Sequence, residues 1–491
     1  MGMAAERYLF VFLAVFILTA IPVRGSHADR PASGTSLPGD PFAGQEWQMP
    51  ESGELPGDPF ADEPAFQKVI EGAAKRQWDH PLDKKNRFDL HGYLESRNRL
   101  RTGSDNKFLS ARQRLWLEAD GCFSPQMRFF ASGALDIDPA AADLSDDHET
   151  VRAHLNEAYV TFDRDTLDLI LGRKMLRWGM GDGINPLDLI NPLDHRDPVA
   201  SGRADSRVPV TLVQTLIRLP AFGFLQEASL EGVVIPQARV NTLNAPGSPW
   251  ENQGLKALRQ AQSRGDLVLN GQQEPDDFFQ DAEFGMRLAV TFSGWDLALI
   301  GFSGFTDTPV FSRSPGENGV PQLTPVHPAF SAFGINFAKG LDRSTLRGEL
   351  ALKPDLPVML TDPAAIPGYE RRPVVEGILG VDRTFGTNLY TNLQYFGTFI
   401  EDDRGLARDR YDHGITYEIN DLFWQDDLKA GIRGMISFSD QSWTCEPYAE
   451  FSLGDDWLLA ASLLVFEGSK ESRSGQFTDN DMLTVRLRYS F

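Results

Sequence analysis

Cysteine is nearly absent from this chain, with only Cys122 and Cys445 among 491 residues. One is expected in a turn and the other in a strand near the opposite rim, so no structural disulfide is expected and a disulfide-stapled scaffold is excluded. Histidine is also scarce, and the eight present show no metal-ligand spacing. There is no Cys-x-x-Cys, no Gly-x-Ser-x-Gly and no phosphate-cradling glycine loop. The expectation is therefore no enzyme, no metal and no cofactor. Positive charge is short as well: 47 Lys and Arg face 69 Asp and Glu, a formal net charge of −22, which argues against a nucleic-acid partner. Beyond the first residues, no stretch is long and apolar enough for a transmembrane helix.

The two ends carry more. An Arg precedes an apolar run from Tyr8 to Val23, and small residues around Ser26-His27-Ala28 suit cleavage after Ala28, so residues 1–28 read as a secretory signal peptide. The competing reading, a permanent membrane helix, needs a longer run than this one. An exported chain without membrane helices is either soluble or a β-barrel. At the other end Leu483, Val485, Leu487, Tyr489 and Phe491 alternate with Thr484, Arg486, Arg488 and Ser490. An apolar face opposite a charged one fits a wall between lipid and a watery lumen, although the edge strand of a soluble sandwich would alternate too. The terminal Phe resembles the signal by which outer-membrane barrels of Gram-negative bacteria are recognised for assembly. That implies contact with the β-barrel assembly machinery through the last strand, and with outer-membrane lipid and lipopolysaccharide.

Residues 29–86 are rich in Pro, Gly and acids, and Leu37–Ala43 (LPGDPFA) recurs as Leu55–Ala61. This reads as a disordered periplasmic leader. The sharper alternative is a pair of docking motifs with Phe42 and Phe60 as apolar anchors for a periplasmic exporter.

From residue 87 to 491 the chain alternates almost throughout. About eighteen segments of the length that tilted barrel strands require can be placed near 87–102, 107–121, 126–138, 150–164, 166–175, 209–220, 223–235, 280–293, 295–307, 329–341, 343–354, 372–384, 386–400, 410–421, 426–439, 442–454, 456–468 and 479–491. Long connections alternate with brief turns such as Arg164-Asp165, Gly294 and Phe385-Gly386, as in a single-chain outer-membrane barrel. The fold class is thus all-β, a transmembrane antiparallel barrel.

Alternation also assigns faces. Arg97, Arg99, Arg112, Arg114, Arg486 and Arg488 fall on the lumen side of strands that closure brings together, which predicts a pore-lining basic sector that attracts anions. The alternative is that these arginines pair with lumen carboxylates such as Glu95, Glu118, Asp120 and Glu349 and brace the wall.

One stretch resists alternation. Between Gly172 and Pro198, Asn185-Pro186-Leu187-Asp188-Leu189 is nearly repeated as Asn191-Pro192-Leu193-Asp194-His195. Asn-Pro and Asp favour turns closed by local side-chain bonds. Gly172-Arg173-Lys174, Trp178-Gly179 and the Asn-Pro-x-Asp run resemble a broad family of Gram-negative outer-membrane barrels of mostly unassigned function. The strand number and Arg-rich lumen are also similar to the alginate-export barrel, which bears on architecture only. Apolar Met180, Ile184, Leu187, Leu189, Ile190 and Leu193 need cover that folding into the barrel would supply. A constriction loop over 176–208 is therefore expected, with Arg173, Trp178, Asp182, Asn185, Asp188, Asn191, Asp194, His195 and Arg196 at the narrowing and its acids, Asp197 included, set against the Arg wall. A rigid external cap is the alternative. The expected role is a porin-like channel for small or polymeric polar, preferentially anionic solutes, and the runner-up is an outer-membrane anchor that docks an exporter through the leader repeat.

Overall fold

The computed structural model describes residues 88–491, apart from 104–106, 144–149, 197–205, 222, 317–318, 363–364 and 403. The signal peptide and the leader with Phe42 and Phe60 lie outside the described residues, as does Asp197.

The described chain forms β1 (Phe88–Arg101), β2 (Phe108–Ser124), β3 (Met127–Ile137), β4 (Val151–Arg164), β5 (Leu167–Lys174), β6 (Val210–Leu219), β7 (Glu227–Ile235), β8 (Val268–Leu269), β9 (Glu283–Phe292), β10 (Trp295–Phe305), β11 (Val310–Pro315), β12 (Pro321–Val326), β13 (Ala329–Leu341), β14 (Ser344–Met359), β15 (Tyr369–Phe385), β16 (Leu389–Ile400), β17 (Tyr411–Phe423), β18 (Leu428–Ser437), β19 (Ser442–Leu453), β20 (Trp457–Glu467) and β21 (Met482–Ser490). Eighteen of them make one antiparallel sheet in chain order, and β8, β11 and β12 form a small separate sheet within the long loops. The large sheet closes on itself: β1 pairs with β2 on one side and with β21 on the other, from Tyr93 opposite Ser490 to Arg101 opposite Met482. Closure leaves no unpaired strand edge, which is the condition for standing in hydrocarbon. Among the described residues no helix is long and apolar enough to cross a membrane.

Every strand expected from alternation is present, within a few residues at each end. The physical cause is visible in β1, where Leu90 and Leu94 point outward and stay about half exposed while Glu95, Arg97 and Arg99 point inward and are buried. Outward Leu117, Leu135, Leu350, Leu379, Leu393, Leu459 and Leu487 continue that apolar belt around the wall. In lipid such side chains are removed from water, worth about 1.5–3 kcal/mol each. At one end the strands are joined by short turns. Ser293 and Gly294 both take positive φ (50° and 68°), as the tight hairpin types that match strand twist require. The turn after β17, expected between the 410–421 and 426–439 segments, has no glycine, yet Trp424, Gln425 and Asp426 all have positive φ. Trp295, Trp443 and Trp457 sit at or next to strand starts, as interface residues do.

At the other end the loops are long and structured. The β7–β9 connection contains α1 (Gln253–Arg264), begun by the Asn252 side chain on the Gly254 N–H and ended by Gly265 at φ 80°. This helix was not foreseen, and none of its residues is buried. The same loop runs across to the β20–β21 side, where Trp250 packs with Phe466 and Phe477 and Asn480 donates to the Pro249 carbonyl (2.7 Å).

The inner wall has two unlike halves. Val210 and Leu212 of β6, Val233 and Ile235 of β7, Ile300 and Phe302 of β10, Phe330 and Ala332 of β13 and Ala351 of β14 are inward, apolar and buried. The inward faces of β17–β21 and β1–β4 instead carry Glu418, Arg433, Glu446, Glu450, Arg486, Arg488, Glu95, Arg97, Arg112, Arg114 and Asp136.

Candidate functional site

The β5–β6 loop fills the apolar half. Leu176, Trp178, Leu187, Leu189 and Ile190 form one cluster with the inner-wall residues just named, and Met180 packs on Ala289, Ala298 and Ala338. Five large side chains buried at about 1.5–3 kcal/mol each give an upper estimate of the order of 10 kcal/mol for docking. The wall makes room with glycine. A Cβ on Gly334 would stand 2.2 Å from Leu187 Cδ2, and one on Gly285 2.5 Å from Trp178 Cη2.

Polar bonds set the loop's register. Glu349 of β14 accepts the N–H groups of Met180, of Gly181 (2.9 Å) and of Leu187 (3.1 Å). One carboxylate thus satisfies three loop donors that have no strand partner, and bonds to a charged acceptor are the strong class. Gln394 accepts the Asp182 N–H (2.8 Å) and donates to the Asp182 and Ile184 carbonyls (3.0 and 3.3 Å), while Asn336 donates to the Trp178 carbonyl (2.9 Å). Arg347 bridges Asp182 (2.7 Å) and Asp382, and Asn392 also donates to Asp182 (2.5 Å). Burial pushes the Asp182 carboxyl up to about 6, with Arg347 pulling it down and Asp382 adding to the rise.

The two Asn-Pro-Leu-Asp copies do different work. Asn191 ties the feet of the loop together, accepting from the Leu176 N–H (2.6 Å) and donating to the Val208 carbonyl (3.0 Å). Asn185 is buried against Gly179 and Gly181. Asp188 pairs with Arg207 (2.9 Å), and Asp194 pairs with Arg196 (2.5 Å) and Arg152 (3.5 Å). Burial tends to raise the Asp194 carboxyl, but the Arg196 guanidinium outweighs it and holds the group below the usual range. His195 hydrogen-bonds through its backbone to Thr242 and Asn244 at the loop's outer part.

Two sequence expectations are corrected here. Arg173 is not at the narrowing: it lies in β5, within the expected 166–175 strand, and pairing opposite Thr211 turns it outward, where its Nε donates to the Asn156 carbonyl (3.0 Å). Asp182 is also not set against the arginines of β1, β2 and β21. Asp182 meets Arg347 instead, because the loop's apolar side chains carry it to the apolar half of the wall. Glu349, expected to brace an arginine, holds loop backbone.

The arginine sector itself is where the alternation puts it. Arg97 lies opposite Arg112 on β2 and Arg486 on β21, and Arg99 lies opposite Ser110 and Thr484. Glu95 serves three cations at once, Arg97 (2.7 Å), Arg488 (2.6 Å) and Arg112 (3.4 Å). Arg114 is bidentate on Asp136 (2.6 and 2.9 Å), Arg486 pairs with Glu450 (2.6 Å), and Arg488 stacks over Tyr93 at 4.1 Å. Bracing is therefore real, but around Glu95 three guanidiniums share one carboxylate.

Missed from the sequence were Gln394, Asn392, the apolar half-wall and the part that the lumen residues Glu349 and Arg347 take in holding the loop. A signal for the last existed. Leu297–Phe302 is a continuous apolar run, the mark of a strand covered on both faces.

A closed antiparallel sheet with an apolar outer belt, a polar inner sector and an inward-folded loop defines a transmembrane β-barrel of the outer-membrane type. Residues 120–491 match the family described as "Protein of unknown function (DUF1302)", and the chain belongs to that family. No curated protein matches it in sequence. Among solved structures it is similar to OmpF of Salmonella typhi in complex with daunomycin (10% identity, 83% of this chain and 98% of that one, TM-score 0.42). It is also similar to a loop-deletion form of OmpT, an outer membrane protein of Vibrio cholerae (7%, 83% and 100%, 0.40), and to the outer membrane channel DcaP of Acinetobacter baumannii (11%, 83% and 98%, 0.39). The barrel assignment rests on the closed register of this chain itself.

Proposed function

We propose that this barrel is an outer-membrane channel for polar, preferentially anionic solutes, constricted by the 176–208 loop. The observation that carries the reading is the division of the inner wall. The loop packs on the apolar half, and the Arg-rich sector of β1, β2 and β21 faces the rest of the lumen. Arg97, Arg112 and Arg488 gather around Glu95 in this sector, and positive groups in a low-dielectric wall favour anions. A small anion fits this reading, as does a polymeric one.

Reversal potentials in a salt gradient across planar bilayers test it. Anion preference is expected, and neutralising Arg112, Arg114, Arg486 and Arg488 together should weaken it. A cation preference unaffected by those changes would refute the selectivity. The tight seating of the loop also supports a second reading, a filled barrel that anchors a periplasmic exporter through the leader repeat. In that case deleting residues 37–61 abolishes partner pull-down.

A further inference from the structure

The outer belt is broken by a small polar patch on β1 and β2. Glu95, Arg97 and Arg99 point inward, so Ser96 and Asn98 between them point to the bilayer. Ser96 lies opposite Gln113 on β2 and Leu487 on β21, and Asn98 lies opposite Ala111 and Val485. Gln113 is opposite Ile137 on its other side. Leu487, Val485 and Ile137 are all exposed on that outer surface. The register therefore holds the patch at the height of the lipid-facing belt.

Polar groups at that depth need partners. Asn98 spends one N–H on the Ser96 hydroxyl (3.2 Å) and Gln113 spends one on the Ala111 carbonyl (3.2 Å). Among the described residues the side-chain carbonyls of Asn98 and Gln113 and one N–H of each receive no further bond. Each amide is both donor and acceptor, so a second copy of the same patch, turned by a two-fold rotation, supplies what each lacks. Acyl chains supply neither group. A charged partner finds no complement in a patch made only of neutral amides and a hydroxyl. Ala111 and Ser96 keep the surface low, which lets two walls approach closely.

We propose that this face, centred on Ser96, Asn98 and Gln113, is the contact by which two copies of the chain associate in the membrane. The association is isologous, each amide meeting the amides of the same patch on the other copy.

The test uses the full chain with Cys122→Ser and Cys445→Ser and a single new thiol, Gln113→Cys or, as control, Leu393→Cys, an outward residue on β16. Oxidation in isolated membranes is expected to give a disulfide-linked dimer for Gln113→Cys and only background for Leu393→Cys. Equal yields from both would overturn the proposal. Native mass spectrometry and light scattering in mild detergent give the second measurement, with no thiol introduced. The variant Ser96→Ala/Asn98→Leu/Gln113→Leu is expected to raise the dimer dissociation constant at least about tenfold, the change that corresponds to about 1.4 kcal/mol. A wild-type chain that stays monomeric, or a dimer as tight in the variant as in the wild type, contradicts the assignment.

Discussion

Replacing Glu349 with Gln should loosen the constriction loop without disturbing the barrel. The carboxylate holds the N–H groups of Met180 and Gly181 on one oxygen and that of Leu187 on the other. A glutamine in the same rotamer keeps one acceptor and turns an NH2 toward the remaining N–H. One charge-assisted bond is lost and two donors then face each other, which costs about 2–3 kcal/mol. The apolar side chains around Trp178 and Leu187 still hold the loop in place, so the effect is greater local opening rather than release. Opening of that size speeds amide exchange by roughly 30- to 150-fold. Hydrogen exchange read by mass spectrometry on peptides covering 176–190 measures this directly. The control is Glu446→Gln, which breaks the pair with Arg433 on the opposite half of the wall (2.9 Å). The reasoning is refuted if Glu349→Gln leaves exchange of 176–190 unchanged, or if Glu446→Gln speeds it as much.

Other consequences can be checked separately. Gly334→Ala puts a methyl into Leu187 and should destabilise the docked loop by about 1–3 kcal/mol, seen as a lower unfolding midpoint and altered tryptophan fluorescence, with an unchanged midpoint counting against the packing described. Glu95→Gln leaves Arg97, Arg112 and Arg488 facing one another, and loss of one partner of a buried pair costs about 3–5 kcal/mol. Its denaturant midpoint should fall, and adding Arg112→Gln should restore part of the loss. The pH dependence follows from Asp182, whose carboxyl is raised from 3.8 to about 6 by burial in the docked loop. The docked state binds that proton more tightly, so docking strengthens as pH falls through about 6 and weakens as pH rises through it. Exchange of 176–190, corrected for the intrinsic pH effect, should be slower at pH 5 than at pH 7.5, and the reverse order would contradict the assignment.

The fold was legible because its physics is written with period two. In β1, β2 and β21 one face had to be apolar and the other charged, and closure then placed Arg97 beside Arg486 without further information. The inward path of the 176–208 loop could be anticipated from its uncovered Met180, Leu187 and Ile190. Its destination could not, because that depends on Glu349, Gln394 and Asn336, which are distant in sequence and look like ordinary lumen residues there. Arg173 was misplaced at the narrowing although the expected 166–175 strand contained it, because its place in the alternation of β5 turns it away from the lumen. Helix Gln253–Arg264 went unforeseen because it lies exposed in a loop, with none of its residues buried.

The central claim is that this barrel conducts and that the β5–β6 loop sets the size of the path. Single-channel recording of the full chain beside a variant in which 176–208 is replaced by a short turn tests it most directly. The account predicts a small conductance for the full chain and a several-fold larger one for the variant. No measurable conductance from either, in protein shown to be folded and inserted, would contradict it.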